Sequence, residues 1–175
     1  MKNSLAVLMS LGCVALGAGA AIAAKSSGAG INAIRGKPPQ EAAAAALVEA
    51  ERLAGSGTWE RIAVARVYYL SGDKAHGQAL IDKVMSGKTD HGDWQRIGQV
   101  YADAGDNDKA AQYFQRALAS DPDDDTGQAE IGAWYIRIGQ RDQGEALLAK
   151  ALAKNPDEVW HYVRAAEAFL NVPSR

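Results

Sequence analysis

The chain has 175 residues with 19 Lys+Arg against 21 Asp+Glu, a formal net charge of -2, and is 47% hydrophobic but only 7% aromatic. That length suits one hydrophobic core rather than two, and near-neutral charge without a basic block excludes nucleic-acid binding by counterion release, which needs clustered Lys and Arg to neutralise phosphates. Alanine is the commonest residue at 35, and with 18 Gly and 5 Pro it points to closely packed helices joined by short turns, an all-α composition.

Residues 1–24 read as an address. Lys2 is the only charged residue there, and it precedes an apolar stretch from Leu5 to Ala23 that ends in small residues. A positive start, an apolar middle and an Ala-x-Ala exit are the three parts of a secretory signal peptide. Ala21-Ile22-Ala23 offers one cleavage site and Ala18-Gly19-Ala20 an earlier one. The alternative is a retained membrane anchor, because about 20 apolar residues can span a bilayer. A third reading uses Cys13, the single cysteine, in Ser10-Leu11-Gly12-Cys13, which has the small-residue-then-Cys form of a lipoprotein box; the apolar run continues well past it, where a lipidated N-terminus opens into a polar tether. Export to a bacterial periplasm, or attachment to a membrane facing it, is the expected location.

Residues 25–39, rich in Ser, Gly and Pro, read as a flexible linker. Residues 40–57 hold an Ala/Glu-rich helix opened by Pro38-Pro39 and closed by Gly55-Ser56-Gly57. A chain of repeats follows over residues 58–171. Laid on the segment that starts at Gln128, thirty-four places later, the segment from Trp94 matches it. Trp94, Ile97, Gly98, Tyr101, Gly105, Ala110, Phe114, Ala117 and Pro122 in the first answer to Gln128, Ile131, Gly132, Tyr135, Gly139, Gly144, Leu148, Ala151 and Pro156 in the second.

The spacing has a mechanical reading. Residues three and four apart share a helix face, so Ile97 and Tyr101 point inward together while Gly98 admits a second helix. Gly105 and Gly139 end the first helix of each unit, where a positive φ suits glycine. Pro122 and Pro156 break the second helix. A more degenerate unit precedes these two, with Val64, Ala65, Tyr68, Gly72, Gly77, Ile81 and Val84 at the corresponding places and Thr89 where proline is expected. After them, Glu158 to Leu170 reads as a first helix without a partner, a solubilising cap. The units run over about 58–90, 91–124 and 125–158, with the capping helix at 158–171.

This pattern of W-x2-L-G-x2-Y, then small, large apolar, small and Pro, at a period of about 34 residues, resembles the tetratricopeptide repeat (TPR) family. The resemblance covers about residues 58 to 170 and implies an all-α, right-handed solenoid of helical hairpins, about eight helices in all. It also implies that the first helices of successive repeats line a concave groove. The corresponding places are Trp59, Ile62, Arg66 and Tyr69; then Gly92, Gln95, Gln99 and Ala102; then Thr126, Ala129, Ala133 and Ile136, with Arg137 at the edge. The clamp with which chaperone-binding relatives hold a terminal carboxylate is absent, since Ile62, Arg66 and Gln99 stand in its places.

Catalysis and metal binding find no support in the sequence, and no cofactor is expected. His76, His91 and His161 are not spaced as metal ligands. Asp121 to Gly127 resembles a calcium loop but carries Gly127 one place late and Gly132 where a bidentate Glu is required, so an Asp there is expected to cap the next helix instead. Gly30 to Pro38 imitates a phosphate loop with the wrong gap and no Ser/Thr. The expected partner is a protein or peptide held in the groove, with Trp59 and Tyr69 as anchors and Arg66, Gln95 and Gln99 as polar contacts. The expected role is a scaffold in envelope complex assembly or, alternatively, an accessory subunit of a larger envelope enzyme or secretion complex; self-association is compatible with both.

Overall fold

The computed structural model describes residues 30–173, so the N-terminal address and Cys13 lie outside it. A short 3-10 turn at Gly30–Ala33 leads into eight α-helices, and no strand occurs among the described residues: α1 (Pro39–Ala54), α2 (Thr58–Ser71), α3 (Lys74–Met85), α4 (His91–Asp103), α5 (Asn107–Ser120), α6 (Asp125–Arg137), α7 (Arg141–Lys154) and α8 (Val159–Phe169). Helices α2/α3, α4/α5 and α6/α7 form hairpins, and α4 touches α2 and α6 while α6 touches α8. This is an all-α, TPR-like solenoid. No helix among the described residues is long and apolar enough to cross a membrane.

Each hairpin closes where two small residues meet. A Cβ on Gly98 would lie 2.5 Å from Phe114 Cε1, so only glycine lets that ring enter. In the next hairpin both sides are glycine: a Cβ on Gly132 would sit 2.9 Å from the Gly144 carbonyl, and one on Gly144 would sit 2.5 Å from the Gly132 carbonyl. The turns repeat as well. Gly105 (φ 77) and Gly139 (φ 87) take the left-handed conformation, and the N–H groups of Asp106 and Gln140 reach back to the Tyr101 and Tyr135 carbonyls at 2.9 and 2.8 Å. These bonds complete a Schellman closure of the first helix.

Aromatic rings carry the core from unit to unit. Tyr69 meets Tyr101 edge-on with centroids 5.6 Å apart, Tyr101 stacks on Tyr113 at 5.3 Å, and Phe114 meets Tyr135 edge-on at 5.7 Å. Such pairs add about 0.5–1.5 kcal/mol each beyond their buried area. The Tyr101 hydroxyl donates to Gln78 at 2.7 Å, and burial pushes its pKa well above the usual tyrosine value. Gln128, which stands where its sibling repeat has Trp94, is buried and donates to the Pro122 carbonyl at 2.6 Å.

Two local features differ from the sequence reading. Asp124 occupies the N-cap of α6, but its side chain accepts no helix N–H; its carboxylate turns over Gly127 and towards His91, with 3.7 Å between His91 Nε2 and Asp124 Oδ2. Helix α8 is not a solubilising cap. It buries His161 and Ala168 against the solenoid, but turns Val159, Tyr162 and Phe169 outward to solvent.

The glycine contacts yield a quantitative expectation. In Gly144→Ala the new methyl meets backbone on α6 that cannot yield, at a cost of about 1–3 kcal/mol, which exceeds the roughly 1 kcal/mol gained in helix propensity. A fall in melting temperature of a few degrees, followed by circular dichroism, is expected; an unchanged or raised midpoint would show that the α6/α7 contact is looser than described.

Candidate functional site

The first helices face a common cavity of about 720 Å3. Helix α2 contributes Trp59, Ile62, Ala63 and Arg66; α4 contributes Arg96, Gln99, Val100 and Asp103; α6 contributes Glu130, Trp134 and Arg137; Arg164 of α8 and Pro173 close the end. The placement follows from helical geometry. Relative to the close-approach residues Gly98 and Gly132, positions two before and two and five after lie on the side of the helix turned from its partner, so Arg96, Val100 and Asp103 on α4 recur as Glu130, Trp134 and Arg137 on α6. Arg96, Glu130 and Arg164, each two places before the close-approach position of its helix, therefore form one column along the cavity at the 34-residue step, and Ala63, two before Ala65, continues it on α2 at a step of 33.

Of the thirteen places that the resemblance puts in the groove, Trp59, Ile62, Arg66, Gln99 and Arg137 line this cavity, Arg137 within it rather than at its edge, while Gly92, Ala102, Thr126, Ala129 and Ala133 do not. Tyr69, Gln95 and Ile136 are elsewhere. Tyr69 and Ile136 each stand four places after a close-approach residue, Ala65 and Gly132. One helical turn along the same face sets them against the second helix: a Cβ on Gly77 would lie 2.9 Å from the Tyr69 backbone nitrogen, and one on Gly144 would lie 2.6 Å from Ile136 Cγ1. Gln95 is buried and donates its amide to the Glu130 carboxylate, so it orients a cavity residue without lining the cavity.

Arg96, Trp134, Glu130, Asp103 and Arg164 were missed in reading the sequence. The column at the 34-residue step was available there to find Arg96, Glu130 and Arg164 together. What concealed it was the family position set, one place out of phase on α4 and α6, where a slip of one residue turns a side chain by about 100°.

The lining carries four arginines and two carboxylates in a chain of net charge -2. Arg66 Nε pairs with Asp103 at 2.7 Å, and Arg164 pairs with Glu167 at 2.7 Å and lies 3.7 Å from Glu130. The other two guanidinium groups make no salt bridge among the described residues. The Arg96 guanidinium lies over Trp59, 3.7 Å from the ring centroid, which strips water from one side of the cation and holds it by the ring quadrupole. Arg137 stands 5.1 Å from the Trp134 ring centroid, donates to the Val172 carbonyl, and keeps a buried Nε with no partner. Burial lowers the Arg137 pKa, as does the neighbouring Arg164, against the opposing pull of Glu167 and Asp103. Trp59 itself remains half exposed at 53%. The cavity thus presents flat aromatic surface and unpaired cationic charge side by side. No group of three His, Cys, Asp or Glu residues able to hold a metal ion occurs among the described residues.

Residues 101–167 match the tetratricopeptide repeat family model. No curated protein and no solved structure gives a match. The matched region runs from the end of α4 into α8, and the hairpin geometry extends the same architecture back through α2 and α3. Together they support a tetratricopeptide-repeat protein, and such repeats generally mediate protein–protein interaction.

Arg137 also ties the C-terminal segment to the cavity through Val172. Arg137→Ala is expected to speed amide hydrogen exchange at Val172 several-fold, while the free energy of unfolding falls by no more than about 1 kcal/mol, the value of one partly exposed charge-assisted contact. Unaltered exchange at Val172 would mean that this contact does not hold the segment.

Proposed function

We propose that the protein is an exported scaffold whose concave cavity holds an extended, acidic segment of a partner polypeptide. The observation that carries this reading is the pair of cations without salt-bridge partners, Arg96 and Arg137, each lying on a tryptophan inside the cavity. A carboxylate entering there gains charge-assisted hydrogen bonds from guanidinium donors that are already ordered and partly desolvated, so little rotamer entropy remains to be lost. Trp59 and Trp134 supply area for an apolar or aromatic neighbour of that carboxylate, the kind of anchor that dominates interface energetics. Cavity charge opposite to that of the ligand also raises the association rate.

Export rests on the first 24 residues: Lys2, the apolar stretch to Ala23 and the Ala-x-Ala exit. The role that follows is assembly or support of a complex in the bacterial envelope, by binding without turnover. N-terminal sequencing of the native protein is expected to begin at Ala24 or Ala21; a chain that retains Lys2 and partitions with membranes would instead make the segment an anchor.

Ten-residue peptides that differ only in charge test the cavity. A Glu/Asp-rich peptide with one central aromatic is expected to bind, its Gln/Asn counterpart at least tenfold more weakly, and the Arg96→Ala/Arg137→Ala variant is expected to lose at least tenfold for the acidic peptide alone. Binding should weaken as salt rises. Equal binding of acidic and neutral peptides, or an unaffected double variant, would refute the acidic-segment reading.

A further inference from the structure

The repeat frame, with a step of 33 residues from α3 to α5 and of 34 from α5 to α7, extends to both ends of the described solenoid and leaves a complementary half-unit open at each. Second helices place a small, a large and then a small or β-branched residue against the first helix of their own hairpin: Gly77, Ile81 and Val84 on α3; Ala110, Phe114 and Ala117 on α5; Gly144, Leu148 and Ala151 on α7. All nine are buried. Thirty-four places before the first of these sets stand Ala43, Leu47 and Ala50 on α1. Helix α1 packs on α2 as the second helix of a preceding unit would, and Leu47 and Ala50 reach the core, yet Ala43 and Ala46 are exposed and Leu53 is 67% exposed. Helix α1 is a second helix whose first helix is absent from the described residues.

Helix α8 is the converse. Tyr162, Ala166 and Phe169 stand thirty-four places after Gln128, Gly132 and Tyr135. In α6 those three residues are buried, with Gly132 directly against α7, but Tyr162 and Phe169 are 53% and 49% exposed and Ala166 is exposed too. The seam that receives a second helix in the other hairpins is formed on α8 and uncovered among the described residues.

We infer that the α1 end of one copy docks on the α8 end of another, supplying the second helix that α8 lacks, so that the solenoid continues across copies head to tail. The side chains fit that pairing. Where α5 places Tyr113 between Trp94 and Tyr101, at centroid distances of 6.1 and 5.3 Å, α1 has Ala46 at the same place of the frame, which leaves room for the Tyr162 and Phe169 rings of the other copy. Ala43 and Ala166 take the close-approach places that Gly144 and Gly132 hold in the α6/α7 hairpin. The contact is heterologous, joining two different surfaces, so it does not close at two copies but adds further ones in the same sense. Its strength is limited. With an aromatic side chain worth roughly 150–250 Å2 when fully buried, the two half-exposed rings give roughly 300–500 Å2 over both copies, and their aliphatic neighbours add to it, so the contact falls in the range of weak, transient interfaces. Association is therefore reversible and concentration dependent.

The test uses the full chain and two variants at exposed alanines, Ala43→Arg and Ala166→Arg, each of which blocks one end; unchanged helicity by circular dichroism shows that both fold. Sedimentation equilibrium of the wild-type chain is expected to give a mass that rises with concentration past the dimer. Each variant alone is expected to associate at least tenfold more weakly. Mixed in equal amounts they should recover association, because the unmodified α8 of one meets the unmodified α1 of the other, and the mixture should stop at a 1:1 pair. A wild-type chain that stays monomeric, a mass that stops at two copies, self-association that persists in either variant, or a mixture that fails to pair would each overturn the inference.

Discussion

The close approach of two helix backbones at small residues governs the rest of this structure. Where Gly132 meets Gly144 there is no room for a side chain between the helices, and beside the Phe114 ring there is none for a second one at Gly98, and this fixes the rotation of each helix about its axis. Once that rotation is set, every other position on the first helix has its direction. Four places on lies the packed seam of Tyr69 and Ile136; five places on lies the cavity, with Asp103 and Arg137. A bundle held by large side chains could tolerate small rotations, because long side chains adjust; backbone against backbone does not.

The cavity chemistry is a consequence of that rotation combined with the repeat. A column of residues at one phase of the frame passes from Ala63 through Arg96 and Glu130 to Arg164, mixing charges so that some cations are neutralised internally and others are not. Arg66 is tied to Asp103, whereas Arg96 and Arg137 rest on aromatic rings. The ion pairs are partly exposed and contribute little to stability. Their effect is to leave two guanidinium groups as the groups with unmet electrostatic demand, in a hollow where water is partly replaced by tryptophan.

Much of the fold was legible in the residues. Trp94 to Pro122 laid on Gln128 to Pro156 contains the helices, the glycine turns and the close contacts, because each of these needs a particular small, large or φ-permissive residue at a set place. Less legible was the facing of individual side chains. Tyr69 reads as a groove anchor in the family frame but is held beneath the second helix, and Glu130 and Trp134 lie one place away from residues that frame selected. Helical phase amplifies a one-residue error into a different surface, and no composition signal corrects it. The ends were obscured for another reason: α1 is alanine-rich and lacks the large residues that make the repeat visible, and α8 has the pattern of a first helix but not the polar outer face of a cap. Asp124 illustrates a local competition, with the right residue type at a helix start drawn towards His91 and over Gly127 instead of capping.

The most direct test of the central claim, that one set of helix rotations gathers dispersed arginines into a single binding surface, is to follow the arginine Nε–Hε resonances by NMR during titration with an acidic peptide. Expected is a joint shift of Arg66, Arg96, Arg137 and Arg164 with one common dissociation constant, while Arg52, Arg116 and Arg141, which lie outside the cavity, stay in place. Shifts centred on those outer arginines, or separate constants for the four inner ones, would contradict it.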